Sequence, residues 1–357
     1  MDLKKIFLRD ACPTSIGGQA VLEGIMMKGP DRTAIAVRQP NGNIHMKVEP
    51  LKDRSRWFKI PVVRGVFIFV DALVTGTRTL LYSAEVLENA EGGTGAVEEK
   101  DKMTLWLEKR FGEKGALNIM LYMSVVLAVL LTVGIFIVIP TIVTHLFQYV
   151  TENAVLLNLF EGILRIILFI IYIAIVSKMP DIQTTFRYHG AEHRCIHCFE
   201  NGLELTPENC QKFESLHPRC GTSFLMFVMV IALLIFSLLG WPTLLFRVLS
   251  RIIFIPLVAG LSYELLRWAG KSSSPIVKVV SIPGLALQNL TTMDPTEKHL
   301  EVAIAAMKAV LDTDSPKEYV TELDPQGNPL PEKTEEEASE EAAEEIAAEE
   351  APEGENK

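Results

Sequence analysis

The alternation of apolar and polar positions divides the chain before any single residue is considered. Crossing the hydrocarbon of a bilayer takes about 20 consecutive apolar residues, and two runs meet that length cleanly, Ile119 to Val143 and Ala154 to Val176. Ser223 to Phe246 makes a third. A fourth, Val248 to Trp268, is interrupted by Arg251, Pro256 and Glu264. Short connections within each pair predict two helical hairpins. Val66 to Leu81 is also apolar, but Asp71, Thr75, Gly76 and Arg78 break it. It reads as an interfacial or soluble-domain helix, against a re-entrant or spanning segment.

The first 65 residues follow another pattern. Thr33 to Arg38 and Asn43 to Glu49 flank Gln39-Pro-Asn-Gly42, a turn between two short strands, which predicts a β-hairpin. Before it, Gly17-Gly-Gln-Ala-Val-Leu-Glu-Gly-Ile-Met-Met-Lys-Gly-Pro30 holds four glycines in 14 positions. Such density points to sharp turns or close backbone approach, and its spacing fits neither dinucleotide-binding nor P-loop templates. Residues 296 to 312 have the apolar periodicity of an amphipathic helix, after a turn-rich Pro283 to Thr292. That helix is expected to dock on the cytosolic domain or the membrane surface.

The fold class that follows is a mainly α polytopic membrane protein. It has about four transmembrane helices in two hairpins and a small cytosolic α+β part that includes the N-terminal β-hairpin. The expected divisions are a cytosolic region 1–115, hairpins at 116–178 and 223–268, a loop 179–222 between them, a docking region 269–315 and a tail 316–357.

Composition sharpens this reading. The chain has 357 residues, 49% of them hydrophobic, and the clumping of those residues favours a bilayer. Its net charge of -10 is localised: residues 332 to 357 hold 12 Glu against Lys333 and Lys357, leaving the rest neutral. This Glu/Ala-rich tail is expected to be a disordered, solvated or partner-binding segment. The first 30 residues lack the order of a cleavable signal peptide, so insertion would rely on internal segments. Residues 144 to 153 contain no Lys or Arg. The 178 to 222 loop carries Lys178, Arg187, Arg194, Lys212 and Arg219, and Lys109, Arg110 and Lys114 precede the first span. Both termini and the loop are therefore expected on the cytosolic side of the plasma membrane. Arg247 and Arg251 fall on the opposite side, where Glu161 and Arg165 are placed to pair with them.

The candidate chemistry lies in the loop. His189, Glu192 and His193 are three and four residues apart, so on a helix they share one face. The pattern H-x-x-E-H lets two imidazoles grip a zinc ion while the carboxylate acts as general base. His197, Cys195, Cys198, His217 and Cys220 surround it, and four of the seven histidines fall in this loop. His189 and His193 with Cys220 or His217 would make an open, catalytic site. Cys195, Cys198, His217 and Cys220 would make a closed, structural one. Cys220 opens the third span, where a helix N-terminus lowers a thiol's pKa, and so is also a candidate nucleophile with His217 as base. Gly221-Thr-Ser223 also reads as a helix cap. Gly190 raises the prospect that the helix starts only there, which would loosen the His189 geometry.

Four segments together resemble one family: Tyr188-His-Gly-Ala-Glu-His193, His217-Pro-Arg-Cys-Gly-Thr-Ser-Phe224, Gly17-Gly-Gln-Ala-Val-Leu-Glu-Gly24 and Leu287-Gln-Asn-Leu-Thr-Thr292. It is the bacterial YqhQ-like family, domain of unknown function 1385, over residues 14 to 312. The resemblance implies a metal-dependent membrane enzyme and carries over His189, Glu192, His193, His217 and Cys220, leaving out Cys195, Cys198 and His197.

The leading expectation is a zinc-dependent hydrolase with its site at the cytosolic face, with Glu192 as catalytic base, zinc as cofactor and the substrate unknown. The alternatives are a non-enzymatic scaffold or membrane-protein-assembly factor with a structural zinc site, and a transporter built on Glu161, Arg165 and Arg251. Expected partners are the lipid bilayer and membrane proteins, with no nucleic acid.

Overall fold

Strict alternation of buried and half-buried positions along Ile44–Pro50 marks a strand with one covered face, and the N-terminal region is built from such strands. The computed structural model describes residues 6–7, 12–51, 60–90, 102–239, 244–272 and 274–330. The expected hairpin is present as β3 (Arg32–Arg38) and β4 (Ile44–Pro50). The glycine-rich segment adds a second hairpin, β1 (Gly17–Val21) and β2 (Gly24–Lys28), closed by the two-residue turn Leu22-Glu23 with Glu23 at φ 46°. A fifth strand, β5 (Tyr319–Leu323), pairs with β4, giving an antiparallel sheet in the order β1-β2-β3-β4-β5. The tail expected to begin at 316 is therefore ordered through β5. The Glu/Ala-rich stretch 332–357 lies outside the described residues.

The described residues are mostly helical. Among the described residues, four helices are long and apolar enough to cross a membrane, though not the expected four: Val63–Ala90, Val126–Phe147, Ala154–Val176 and Leu249–Gly270. The first is α1, which extends far beyond the predicted Val66 to Leu81. After α2 (Lys102–Phe111), the second spans α3 (Glu113–Val133), a π-helical turn Gly134–Val138 and α4 (Ile139–Phe147). The third is α5 (Ala154–Val176). The predicted span Ser223 to Phe246 is corrected: its helix, α8 (Gly221–Ser237), has 17 residues, and α9 (Leu244–Lys271) has begun by Leu244. Large apolar side chains stand exposed along these helices, among them Leu130, Ile142, Ile175 and Ile253. Glu161 is buried and bonds both Arg165 and, at 2.9 Å, Arg251, as the sequence anticipates. The Arg247 side chain lies outside the described residues.

Three helices complete the frame: α6 (Pro180–Glu200), α10 (Pro275–Thr291) and α11 (Glu297–Leu311), with a short α7 (Pro207–Cys210) after α6. The stretch read as turn-rich, Pro283 to Thr292, is instead helical almost throughout. Helices α6 and α11 share one core with a sheet face: Tyr188, Ala191, Cys195 and Ile196 meet Leu300, Met307 and Val310 over Ile25, Met27, Ala36 and Met46. Burying each large apolar side chain contributes about 1.5–3 kcal/mol. The opposite face, at Met26, Ile35 and Val37, receives Val86, Tyr82 and Leu87 of α1. The docking helix thus meets the sheet, and α6 is held beside the edge strand β1.

Candidate metal centre

Every third or fourth residue of α6 from His189 onward is polar and titratable: His189, Glu192, His193, His197 and Glu200. They form a stripe along one face, while Tyr188, Ala191, Cys195 and Cys198 turn to the sheet. The helix begins at Pro180, well before Gly190. Gly190 is there for a different reason. A Cβ at that position would stand 2.1 Å from the carbonyl oxygen of Met293, so only glycine lets the segment after α10 cross the helix. The crossing is fixed by Met293 N–H donating to the Phe186 carbonyl at 3.0 Å.

That crossing orients the first histidine. His189 Nδ1 is 2.7 Å from the Thr291 carbonyl oxygen, which only accepts, so Nδ1 carries a proton and Nε2 is turned toward the site. Nε2 lies 3.1 Å from Cys220 Sγ. One turn on, His193 Nδ1 donates to the Ser215 carbonyl at 2.6 Å. Its Nε2 is buried and, among the described residues, has no hydrogen-bond partner. Cys220 is the N-cap of α8, its sulfur accepting from Thr222 N–H at 3.4 Å. The donor atoms of His189, His193 and Cys220 all lie within 4.8 Å of one another.

This set could hold a metal ion. Backbone carbonyls on the far nitrogens of both histidines are the arrangement that fixes ligand tautomers. Two imidazoles and one thiolate leave the fourth position of a tetrahedral site open. An orphaned buried Nε2 is otherwise costly, by about 1–3 kcal/mol. The electrostatics agree with a charge-separated pair. Burial would raise the Cys220 thiol, but His189 and His193 hold it well below its ordinary value. Burial would lower His189, but the Cys220 sulfur and Glu192 carry it up to about 9. Glu192 is nearly inaccessible, and burial raises its pKa even though the neighbouring histidines and the Gly18 N–H oppose the shift. Gly18 is close-packed here, since a Cβ would stand 3.1 Å from the Glu192 carboxyl carbon.

His217 does not join these donors. Its Nε2 is 3.9 Å from Glu200 and its Nδ1 accepts from Arg219 N–H at 3.3 Å. Burial drives its pKa well below the ordinary value. Its backbone is clamped by Gln288, which accepts from His217 N–H and donates to its carbonyl, both at 2.8 Å, and also reaches Ser223 Oγ at 2.7 Å. His197 donates to the Leu216 carbonyl at 3.0 Å, and burial lowers it to about 4. The closed set of Cys195, Cys198, His217 and Cys220 does not converge. Cys195 lies 3.6 Å from Cys210 instead, and Cys198 donates to the Glu204 carbonyl at 3.4 Å. Thr291, Ser215, Gln288 and Gly18 went unassigned from sequence, because most act through backbone groups or through one amide that the sequence does not tie to the site.

The family described as a protein of unknown function, DUF1385, matches residues 60–313. That stretch contains α6, Cys220 and the crossing segment, and begins after β4. A Bacillus subtilis (strain 168) protein named "Uncharacterized protein YqhQ" is 33% identical over 307 residues, covering 84% of this chain and 93% of that one. No solved structure matches.

Proposed function

We propose that this chain, which belongs to the DUF1385 family, is a membrane-embedded metal-dependent hydrolase with its site on the cytosolic side of the plasma membrane. The observation that carries the reading is the convergence of His189 Nε2, His193 Nε2 and Cys220 Sγ, with both imidazoles held by backbone carbonyls. His189, His193 and Cys220 would hold a zinc ion, which would supply Lewis acidity there. Glu192 accepts the proton of the attacking water, a task suited to a carboxyl whose pKa is raised by burial, and delivers it to the leaving group. Thr291 and Ser215 keep the histidines from turning. The exposed apolar helices support insertion in a bilayer, and the lysines and arginines around α6 support a cytosolic site.

Elemental analysis of the purified protein tests this reading. About one zinc per chain is expected in the wild type, and its loss in His193→Ala and Cys220→Ala. Glu192→Gln should keep the metal and lower hydrolysis of p-nitrophenyl acetate or bis-p-nitrophenyl phosphate by about 10²–10⁴-fold. A metal-free wild type overturns the reading.

One observation favours a second reading. Cys220 Sγ, at a helix N-terminus, faces His189 Nε2 at 3.1 Å, the geometry of a thiol nucleophile and its base. The base is then His189 rather than the expected His217. Cys220→His separates the two, since it retains a zinc ligand and removes the sulfur. Activity that survives with metal supports the first reading, and complete loss with metal retained supports the second.

A further inference from the structure

A guanidinium stays charged in proteins and is costly in apolar surroundings, so a group of them there calls for matching negative charge. Glu161 on α5 is buried and bonds both Arg165, one turn further on, and Arg251 of α9 at 2.9 Å. Among the described residues, two guanidiniums thus share one carboxylate. The surrounding helices do not redress the balance. Glu161 is the single acidic residue of α5, and α8 has none. Glu264, the one acid of α9, is bonded by Arg64 and lies roughly 20 Å along the helix from Arg251. By sequence, α9 adds a further base in Arg247, one turn before Arg251. This part of the bundle carries positive charge in excess.

A cavity of about 140 Å³ opens beside the cluster, lined by Asn158, Arg165 and Ile166 of α5, Met229 and Phe236 of α8, and Arg251. Glu161 does not line it, so both charged side chains on its wall are cationic. The Arg251 guanidinium lies over the Phe236 ring, 5.8 Å from its centroid, and Arg165 is bonded to Glu161. Both are therefore oriented before any ligand arrives. At roughly 30 Å³ per water, the space accommodates the several heavy atoms of a phosphate group. It is remote from the metal centre, since Met229 and Phe236 lie roughly 14 and 24 Å along α8 from Cys220.

We propose that this cavity binds a phosphate group, held between α5, α8 and α9 by Arg165 and Arg251 with Asn158 beside them. A phosphate brings negative charge that offsets the excess, and planar guanidiniums pair with it bidentately. Ile163, Leu234 and Ile255, within one turn of the wall on the same three helices, are apolar and exposed. Across such a surface a lipid carries the group more readily than water does. The headgroup of an anionic lipid is thus the expected source, and free phosphate is the other. The site stands apart from the hydrolase reading and needs no metal.

The test uses the full-length protein in detergent with fluorescently labelled phosphatidylglycerol, equally labelled diacylglycerol, which has the tails without the phosphate, and radiolabelled inorganic phosphate in equilibrium dialysis. The wild type should bind phosphatidylglycerol at least tenfold more tightly than diacylglycerol. Arg251→Gln leaves Glu161 bonded to Arg165 and removes excess charge. It should weaken phosphatidylglycerol binding at least tenfold, leave diacylglycerol binding unchanged and not lower the thermal midpoint. Ala232→Phe fills the cavity while keeping both arginines, and should have the same effect on binding. Should Arg251→Gln not fold, Ala232→Phe decides. Saturable binding of inorganic phosphate that the folded variants lose, with phosphatidylglycerol bound no better than diacylglycerol, keeps the site and makes free phosphate its ligand. A wild type that binds neither phosphatidylglycerol in preference to diacylglycerol nor inorganic phosphate overturns the proposal. So does a preference that survives in the folded variants, which would leave the cluster a structural ion pair.

Discussion

Glu200 is buried and nonetheless anionic, because three groups converge on it. Thr14 donates from its backbone N–H at 2.7 Å and its hydroxyl at 2.9 Å, and the Arg219 guanidinium completes the set. Burial alone would raise its pKa, but the His217 ring, the Thr14 N–H and Arg219 bring it down to about 2. A carboxyl depressed below its unfolded value stabilises the fold above that value, and the contribution fades as pH falls toward the folded pKa. Glu200→Gln should therefore cost roughly 2 kcal/mol at neutral pH, with the gap to wild type closing between pH 4.5 and about 2. Unfolding followed by circular dichroism across that range would show it, and a pH-independent gap would contradict the charge argument. At this scale the sequence was legible where chemistry follows helical spacing. His189, Glu192 and His193 do share a face of one helix, and Cys220 comes beside the two histidines. Gly190 was legible only in part, because the need for glycine comes from the Met293 carbonyl about a hundred residues later. His217 was placed among the ligand candidates by its neighbours in sequence, whereas in space Glu200 and Arg219 engage its ring.

Among the elements, α1 departs furthest from its pattern. The charges that broke its apolar run have partners in the sheet: Asp71 meets Lys28 at 3.0 Å, and Arg78 meets Glu49 at 2.9 Å. Such pairings invert the meaning of a charge in an apolar helix, and hydropathy along one segment does not register them. Its other end docks on α9 through a glycine contact. A Cβ on Gly65 would lie 2.8 Å from Gly260 Cα, and one on Gly260 would lie 2.4 Å from a Val62 methyl. Arg64 bonds Glu264 beside this crossing, which gives that carboxylate its partner. Small residues that let backbones approach are a recurrent means of joining apolar helices. Gly260→Leu should push the pair apart and lower stability by about 1–3 kcal/mol, visible as a lower thermal midpoint in detergent. A midpoint equal to wild type would mean that the helices adjust freely there. The helix α10 was hidden by Pro283 and Gly284, residues that normally signal turns. Gly284 packs against Ser223, where a Cβ would come within 2.7 Å, so tertiary contact outweighs the local signal.

For the molecule as a whole, the sheet is assembled from opposite ends of the chain, with β1 to β4 before all the apolar helices and β5 after them. His45 on β4 bonds Glu322 on β5 at 2.5 Å and Tyr82 on α1 at 2.7 Å, so one side chain links three distant segments. Truncation after Leu330 should leave the thermal midpoint unchanged. Truncation after Ser315 removes β5 and exposes the β4 edge, and should lower the midpoint by several degrees, as expected for about 1–2 kcal/mol lost. Equal midpoints would show that β5 contributes nothing to the sheet. The same arrangement sets a schedule for biosynthesis. As the ribosome makes the chain from its N-terminus, β1 to β4 are finished first and must wait through every apolar helix. Gly18, His189, Cys220 and Thr291 come together only once residue 291 has emerged, and the sheet closes only after residue 323. A chain still short of these residues therefore lacks part of the cluster, and its assembly is timed by completion of translation.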